Sequence, residues 1–522
     1  MHTQIYFGET QAVSWCNVYT TCCVVVGREE RGREREREGQ IFGVYVIPAV
    51  SRGDREIGIE REMRIVVFSG GSATNALVSC FEKVANLSRG GGGVSRDTQL
   101  SSSSTNKNTT TYIIPVSDDG GSTSEILRCF GGLAVGDLRN RALVLFQDEG
   151  AREFLHHRLD KDSRAARAEW DAVVGGTHPL WRLLDRSRQE CRALIAESLR
   201  VFQAAQTQAA QASAQTQFNF STASLGNIVL KALEMQYGID DALHKFLRLG
   251  GVHEDVVSIM PCVTLQGAGG PGPGPAGPGP AAPAAPAAPR LDLQLVLLNG
   301  DVITGQSEIS HPAGGSQLHF SKTADSHPRL AAAVQQLRYV VNDGKSSSSS
   351  AFADASSAHA SAVHVSAHGP AIASIRAADL IVYSIGSLIT SLMPSLIVPE
   401  IAAAIAANTT AQKVLLQNGT YDRESYGLSC EDYTSLVAST LQQAMAEGKF
   451  GFESQSESES QSIPISQFIT HVIRLEDSEI VSRPSPSPTS SNPEIVTLTI
   501  PSNGNRLYHP DHLYQTLRSI IQ

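Results

Sequence analysis

The chain has 522 residues, 41% hydrophobic and 18% charged, enough apolar material for a large buried core. Its 42 basic and 52 acidic residues give a formal net charge of -10, which lacks the general basic footprint of a nucleic-acid binder. No apolar stretch approaches the ~18 residues of a membrane span, so neither nucleic acid nor membrane is expected as a partner. The eight cysteines (Cys16, Cys22, Cys23, Cys80, Cys129, Cys191, Cys262 and Cys430) form no CxxC pair. Scattered thiols in a chain with an ordinary core read as reduced, and the expected compartment is cytoplasmic. Ala12 to Val26 is mildly apolar, but it has no basic segment before it and no clear cleavage site, so it does not read as a signal peptide.

Residues 1–62 differ from the rest. Arg28 to Glu38 is a run of Arg and Glu, a solvated composition, and the expectation is a disordered extension or a misassigned start. A single domain is expected over 63–522. Arg64–Phe68 is an apolar run ended by glycine and reads as a buried strand. Ala73–Ala85 has helical spacing through Leu77, Phe81 and Val84. A Gly/Ser/Thr/Asn-rich insertion near 88–111 precedes a second strand, Tyr112–Val116. Leu138–Phe146 reads as a helix, Leu180–Phe202 as a longer one, and the Ala/Gln-rich stretch near 203–217 as its end or a spacer. Another helix is expected at Ser224–Tyr237. A Gly/Pro/Ala insertion near 267–289 leads to a hairpin signal: Leu293–Leu298, Asn299-Gly300, Val302–Gly305, with Asn-Gly suited to a type I′ turn. Further polar insertions lie near 346–368, 453–462 and 482–492. Leu380–Ser384 and Lys413–Gln417 read as buried strands around a helix at Pro399–Ala407, and Asp511–Ile521 as a last helix. Short apolar strands alternating with helices predict an α/β protein with a mostly parallel sheet covered on both faces. Ligands of such sheets bind at the carboxyl ends of the strands.

Four polar clusters follow these strands or open a helix beside them. Ser69-Gly70-Gly71-Ser72-Ala73-Thr74-Asn75 has the glycines and following helix that suit a phosphate, or merely a tight strand-to-helix turn. Ser117-Asp118-Asp119-Gly120-Gly121-Ser122 offers paired carboxylates for Mg²⁺ or a hydroxyl, or a helix cap. Gly136-Asp137-Leu138-Arg139-Asn140 offers a guanidinium fork behind a capping Asp, or a cap and a surface Arg. Gly386-Ser387-Leu388-Ile389-Thr390-Ser391 offers hydroxyls at a helix start, or a cap with a Pro-stiffened turn. His359, His364 and His368 lie in Ser/Ala-rich sequence and do not read as a metal site. No GxSxG or HExxH motif appears.

Taken in order, the motifs VVFSGGSATNAL, SDDGGSTSEILR, GDLRNRAL, SLGNIVLKAL, MPCVTL, ITGQSEIS, the run from Ala378 through GSLITSLMP and KVLLQNGTYDRESYG resemble the CofD-like superfamily. That superfamily includes the 2-phospho-L-lactate transferases, and the nearer resemblance is to its YvcK-like, or gluconeogenesis-factor, branch. The resemblance implies a Rossmann-like three-layer α/β/α fold and a homodimer. It also implies a nucleotide or nucleotide-sugar ligand. In the transferase branch, phospholactate moves from a guanosine diphosphate carrier to a deazaflavin alcohol with Mg²⁺. In the YvcK-like branch, the implied role is regulatory and the ligand a nucleotide sugar such as UDP-N-acetylglucosamine. Carried over by position, Gly70, Gly71, Ser72 and Asn75 form one phosphate loop, and Gly386, Ser387 and Ser391 a second. Asp118 and Asp119 hold the metal and, with Asp137, do the chemistry. Gly120, Gly121, Ser122, Arg139, Asn140 and Asn227 line the cleft, with Asn418 and Glu424 on the opposite rim. Two motifs depart from the YvcK-like pattern: Ser221-Thr222-Ala223-Ser224 lacks its His, and Gln417 to Ser425 differs from its NxxTQPGET.

Overall fold

The computed structural model describes residues 63–87, 109–185, 188–212, 216–253, 255–265, 290–312, 329–342, 365–448, 463–482 and 495–522, with Val24–Val25 and Tyr45–Val46. The expected insertions at 267–289 and 453–462, and most of those near 88–111, 346–368 and 482–492, lie outside these residues, as does nearly all of 1–62. Contacts divide the chain into Met1–Glu60 and Arg61–Gln522. In the first unit the described residues are two short strands, β1 (Val24–Val25) and β2 (Tyr45–Val46), paired antiparallel.

The second unit contains β3 (Arg64–Phe68), β4 (Thr109–Ile114), β5 (Val257–Pro261), β6 (Val263–Thr264), β7 (Arg290–Leu297), β8 (Val302–Thr304) and β9 (Val334–Asn342). It continues with β10 (Ser366–Ala367), β11 (Leu380–Tyr383), β12 (Gln412–Leu416), β13 (His471–Leu475) and β14 (Val496–Ile500). Seven of these form one sheet in the order β14-β13-β12-β11-β3-β4-β5, and every pairing in it is parallel. RIVVF, LIVY and QKVLL are nearly continuous apolar runs because helices cover both faces, so neither face can be polar. Val67, Val382 and Leu415 are fully buried, and Phe68 stacks on Tyr383 at 5.7 Å across the centre. The expected α/β fold with a parallel sheet is thus observed.

Chain order in the sheet positions the site. β3, β4 and β5 run outward in one direction, and the chain then returns to β11 on the other side of β3. The order therefore reverses between β3 and β11, and connections leaving the carboxyl ends of these two neighbours diverge to opposite faces. A crevice opens there, at the topological switch point.

Three local expectations change. The hairpin β7–β8 forms and β9 flanks β7, but its turn is a four-residue loop, because Gly300 has positive φ (88°) and Asn299 does not. Asn299 instead turns its side chain onto Asp301, accepting from its amide at 3.1 Å. The helix expected at Leu180–Phe202 breaks: Pro179 opens a short 3₁₀ turn capped by His178, and the α-helix runs over Gln189–Ala212. The first ten residues of the stretch 203–217 are therefore helical, as Ala and Gln favour. Ala73–Ala85 is helical in two parts, a 3₁₀ turn to Leu77 and then an α-helix.

Among the described residues, no single helix is long and apolar enough to cross a membrane. The bent pair Leu388–Leu396 and Pro399–Ala407 is apolar because it is core: Leu388, Leu396, Ile401 and Ile405 are fully buried. The described cysteines Cys80, Cys129, Cys191, Cys262 and Cys430 are free thiols.

Candidate functional site

Two loops meet at the switch point. The first follows β3 and turns through Gly70 and Gly71, the latter at φ 52°, into the 3₁₀ turn Ala73–Leu77. The second follows β11 through Gly386 into a π-turn at Leu388–Leu392. They touch so closely that a Cβ on Gly70 would lie 2.8 Å from the Ser391 carbonyl oxygen, which excludes any other residue there. Thr74 fastens them, its hydroxyl 3.0 Å from Ser384 Oγ and 2.9 Å from the Ile385 carbonyl. The amides of Gly70, Gly71 and Ser72 and the hydroxyls of Ser72, Ser387 and Ser391 have no hydrogen-bond partner among the described residues. The Oδ1 of Asn75 is buried without a partner among the described residues. Together they are donors, with one buried acceptor, that no partner among the described residues satisfies.

The β4 loop supplies carboxylates. Successive side chains of an extended segment point to opposite sides, and Asp118 and Asp119 do so. Asp118 turns toward the helix Gly121–Phe130, accepting from Gly120 N (3.0 Å) and Thr123 Oγ1 (2.8 Å). Burial and the neighbouring Asp137 push its carboxyl up to about 7. Asp119 turns away to accept from the amide (2.8 Å) and hydroxyl (2.6 Å) of Ser307, with Arg290 at 3.8 Å. The pair expected to hold one metal is thus split between two partners. Among the described residues, no three His, Cys, Asp or Glu side chains are grouped to hold a metal ion.

A buried polar chain runs on from Asp118. Thr123 Oγ1 accepts from Asn227 Nδ2 at 3.3 Å, and Asn227 Oδ1 accepts from Arg139 Nε at 2.8 Å. Arg139 is 2% exposed, and burial lowers its pKa to about 10. Its two Nη atoms hydrogen-bond nothing among the described residues. Asp137 is buried in the first turn of the helix Gly136–Leu145, and the side chain of half-buried Asn140 hydrogen-bonds nothing among the described residues. Gly120 is the N-cap of the helix Gly121–Phe130 and Gly121 has φ 46°, while Ser122 Oγ accepts from Ser224 N at 2.9 Å. Ser122 thus ties the starts of two helices together.

The opposite rim also differs from expectation. Glu424 is 6% exposed and turned inward. It accepts from the amides of Ile389 (2.8 Å) and Thr390 (3.0 Å) and from the hydroxyls of Thr390 and Ser310 (both 2.6 Å). A carboxylate is favoured at those unpaired amides, so Glu424 already occupies the anion position of the second turn. Asn418 pairs reciprocally with Gly386, accepting from its amide at 3.2 Å and donating to its carbonyl at 2.7 Å. Both residues shape the second loop from behind.

Sequence reasoning missed two features. One is the short helix Gln306–Ser310, which joins the walls: Gln306 accepts from Ser117, Ser307 holds Asp119 and Ser310 reaches Glu424. Its motif, ITGQSEIS, was visible, but its polar residues carry no signature of chemistry. The other is Arg141, two residues beyond Arg139 and on another face of the same helix. It is 1% exposed, lies 4.8 Å over the Tyr112 ring and donates to Ser69 Oγ at 3.2 Å. Its Nε and Nη1 are buried without partners among the described residues.

Comparison with known proteins gives the family. The family model described as 2-phospho-L-lactate transferase CofD matches residues 65–265 and 282–478. The chain is 30% identical over 477 residues to the Saccharomyces cerevisiae protein described as "Uncharacterized protein YNL011C", covering 80% of this chain and 91% of that one. Two crystal structures of a UPF0052-family protein from Bacillus halodurans cover 88% of this chain and 99% of theirs, at 15% identity and TM-scores of 0.49 and 0.48. The motif order read from Val66 onward, the parallel sheet with its loops at the switch point, and a family match on both sides of the central insertion all agree, and the chain belongs to the CofD family.

Proposed function

We propose that the switch-point cleft binds the diphosphate of a nucleoside-diphosphate-linked ligand, and that the protein transfers a phosphoryl-linked group from it to a hydroxyl acceptor, as the family's name describes for 2-phospho-L-lactate. The observation that carries this reading is the contact of the two glycine loops at Gly70 and Ser391, with uncommitted amides on the first and uncommitted hydroxyls on both. Oxyanions suit such a set because each phosphate oxygen accepts from several backbone or hydroxyl donors.

The residues fit Mg²⁺ as the family would use it. Mg²⁺ takes one or two carboxylates and completes its shell from water and phosphate oxygens, so a three-carboxylate cage is not required. Asp118 and Asp137 would hold it, since their repulsion is what a cation would relieve. Bound there, the ion would neutralise phosphate charge. The Asp118 carboxylate would accept the acceptor hydroxyl's proton as the new P–O bond forms and the bond to the departing nucleoside monophosphate breaks. Arg139 balances charge beside it, and Asp119 holds the Gln306–Ser310 helix in place through Ser307.

One observation favours a second reading, a non-catalytic nucleotide-sugar sensor of the YvcK-like kind. Asp119 and Glu424 are both tied to internal partners, which leaves few carboxylates for chemistry. Calorimetry with GDP, UDP and UDP-N-acetylglucosamine, each with and without Mg²⁺, separates the readings. A ligand at 100 times its dissociation constant stabilises by about 2.7 kcal/mol, so thermal shift reads the same binding. Mg²⁺-dependent GDP binding, with product and GMP formed from a guanosine-diphosphate-linked lactate and a deazaflavin alcohol, supports the transferase. A UDP sugar that binds and is recovered unchanged supports the sensor. No binding of any nucleotide removes both.

A further inference from the structure

Beyond Asp118, the cleft wall ends at the N-terminus of the helix Leu225–Tyr237, and three basic side chains meet there. Gly226 allows the approach: an added Cβ would lie 2.4 Å from the Leu155 carbonyl oxygen and 3.0 Å from Arg139 Cδ. The stretch Leu155–Arg158 is stapled across that first turn. Leu225 N donates to the His157 carbonyl at 3.0 Å, Arg158 forms an antiparallel bridge with Ser224, and Arg158 Nη1 donates to the Thr222 carbonyl at 3.2 Å. Thr222 is held at φ 59°, a conformation a β-branched residue adopts only under constraint. The result places exposed His156 and Arg158 beside the buried Arg139.

Arg139 gives this place a direction. It is 2% exposed and its Nε is spent on Asn227, yet both Nη atoms lack a partner among the described residues and still have accessible surface. After burial, Arg158 is the next cause holding the Arg139 pKa down, and both arginines hold His156 down. Like charges gathered at the positive end of a helix are relieved by an anion.

We propose that Arg139 and Arg158, beside the first turn of the helix Leu225–Tyr237, form an oxyanion subsite separate from the glycine loops, which takes a phosphate or carboxylate group of the bound reactants. The inference rests on the reading of the cleft as a ligand site and adds a second anionic group to what it accepts. Asp118 is linked to this subsite through Thr123 and Asn227.

The test is titration of the full chain with inorganic phosphate at constant ionic strength, in wild type, Arg158→Ala and Arg158→Lys, with GDP titrated in parallel. Arg158 is exposed, so its variants keep the fold, and circular dichroism checks this. The expected result is a phosphate dissociation constant at least tenfold weaker in Arg158→Ala and largely recovered in Arg158→Lys. Displacement of the phosphate by equimolar acetate marks the subsite as a carboxylate site, and indifference to acetate marks it as a phosphate site; either supports the proposal. Equal phosphate affinity in wild type and Arg158→Ala, or no phosphate binding by wild type, overturns it. Arg158-dependent phosphate binding in a protein that ignores GDP would sink the nucleotide reading and leave the subsite standing.

Discussion

Asp118 carries an energetic cost that the fold does not need. Its carboxyl is raised to about 7 by burial and by Asp137, whereas an unfolded Asp ionises near 3.8. The folded state therefore holds a proton that the unfolded state has lost, and stability falls as pH rises from about 4 through 7. Asp118→Asn removes that term. In Mg²⁺-free buffer at pH 8, denaturant unfolding is expected to show the variant more stable by ~1–2 kcal/mol, since one pKa unit is worth ~1.4 kcal/mol and the site is partly solvated. The difference should close toward pH 4, while turnover of the true substrate falls by ~10²-fold or more. Arg141 presents the same conflict with a cation. Leaving buried donors unpaired costs ~1–3 kcal/mol, and Arg141 leaves two, Nε and Nη1, beneath the first glycine loop. Replacing a buried charge by an apolar side chain of similar size is often neutral or stabilising. Arg141→Met is thus expected to keep the melting temperature within a few degrees or raise it, and to weaken nucleoside diphosphate binding about tenfold. A large loss of stability with unchanged affinity would make Arg141 structural.

The two loops act as a single unit because Gly70 and Ser391 touch. Gly70→Ala must push a Cβ into the Ser391 carbonyl, 2.8 Å away, and neither backbone has room to yield. Ligand affinity should fall at least tenfold with only ~1–2 kcal/mol lost from stability, because the collision lies at the cleft and outside the sheet; calorimetry and denaturant unfolding on one preparation measure both. Much of this was legible in advance. A strand ending in Gly70-Gly71 and another ending in Gly386-Ser387 announce themselves by apolar runs that stop at small residues, and parallel sheets put ligands at such ends. The partners of the carboxylates were not legible. Asp118 and Asp119 look equivalent in sequence, and only the pleat sends one to Thr123 and the other to Ser307, nearly 190 residues away. Glu424 reads as a charged loop residue until its amide partners, Ile389 and Thr390, are brought to it. Arg141 gave no sign because a lone Arg in a helix is ordinarily solvated.

At the C-terminal end, the molecule extends past the family match, which stops at residue 478. β14 adds a parallel strand to the edge of the sheet at β13, and the helix Pro510–Ile521 returns to pack on the helix Val78–Ala85, directly behind the first glycine loop. Leu513 and Leu517, one turn apart on that helix, are both fully buried, whereas the nearby Lys83–Asp511 ion pair is more than half exposed at each side chain. The magnitudes decide which matters. An exposed pair contributes ~0–1 kcal/mol, while truncating a buried Leu to Ala removes ~2–5 kcal/mol. Asp511→Ala should therefore be nearly silent, and Leu513→Ala with Leu517→Ala should lower stability by several kcal/mol. Because the helix Val78–Ala85 continues directly from the turn that carries Asn75, loosening its back face should also reach the cleft. The double variant is expected to bind nucleoside diphosphate more weakly at a temperature where its secondary structure is still intact. Unchanged affinity there would mean that the C-terminal helix only closes the core, and that the first loop is held by Thr74 and Ser391 alone.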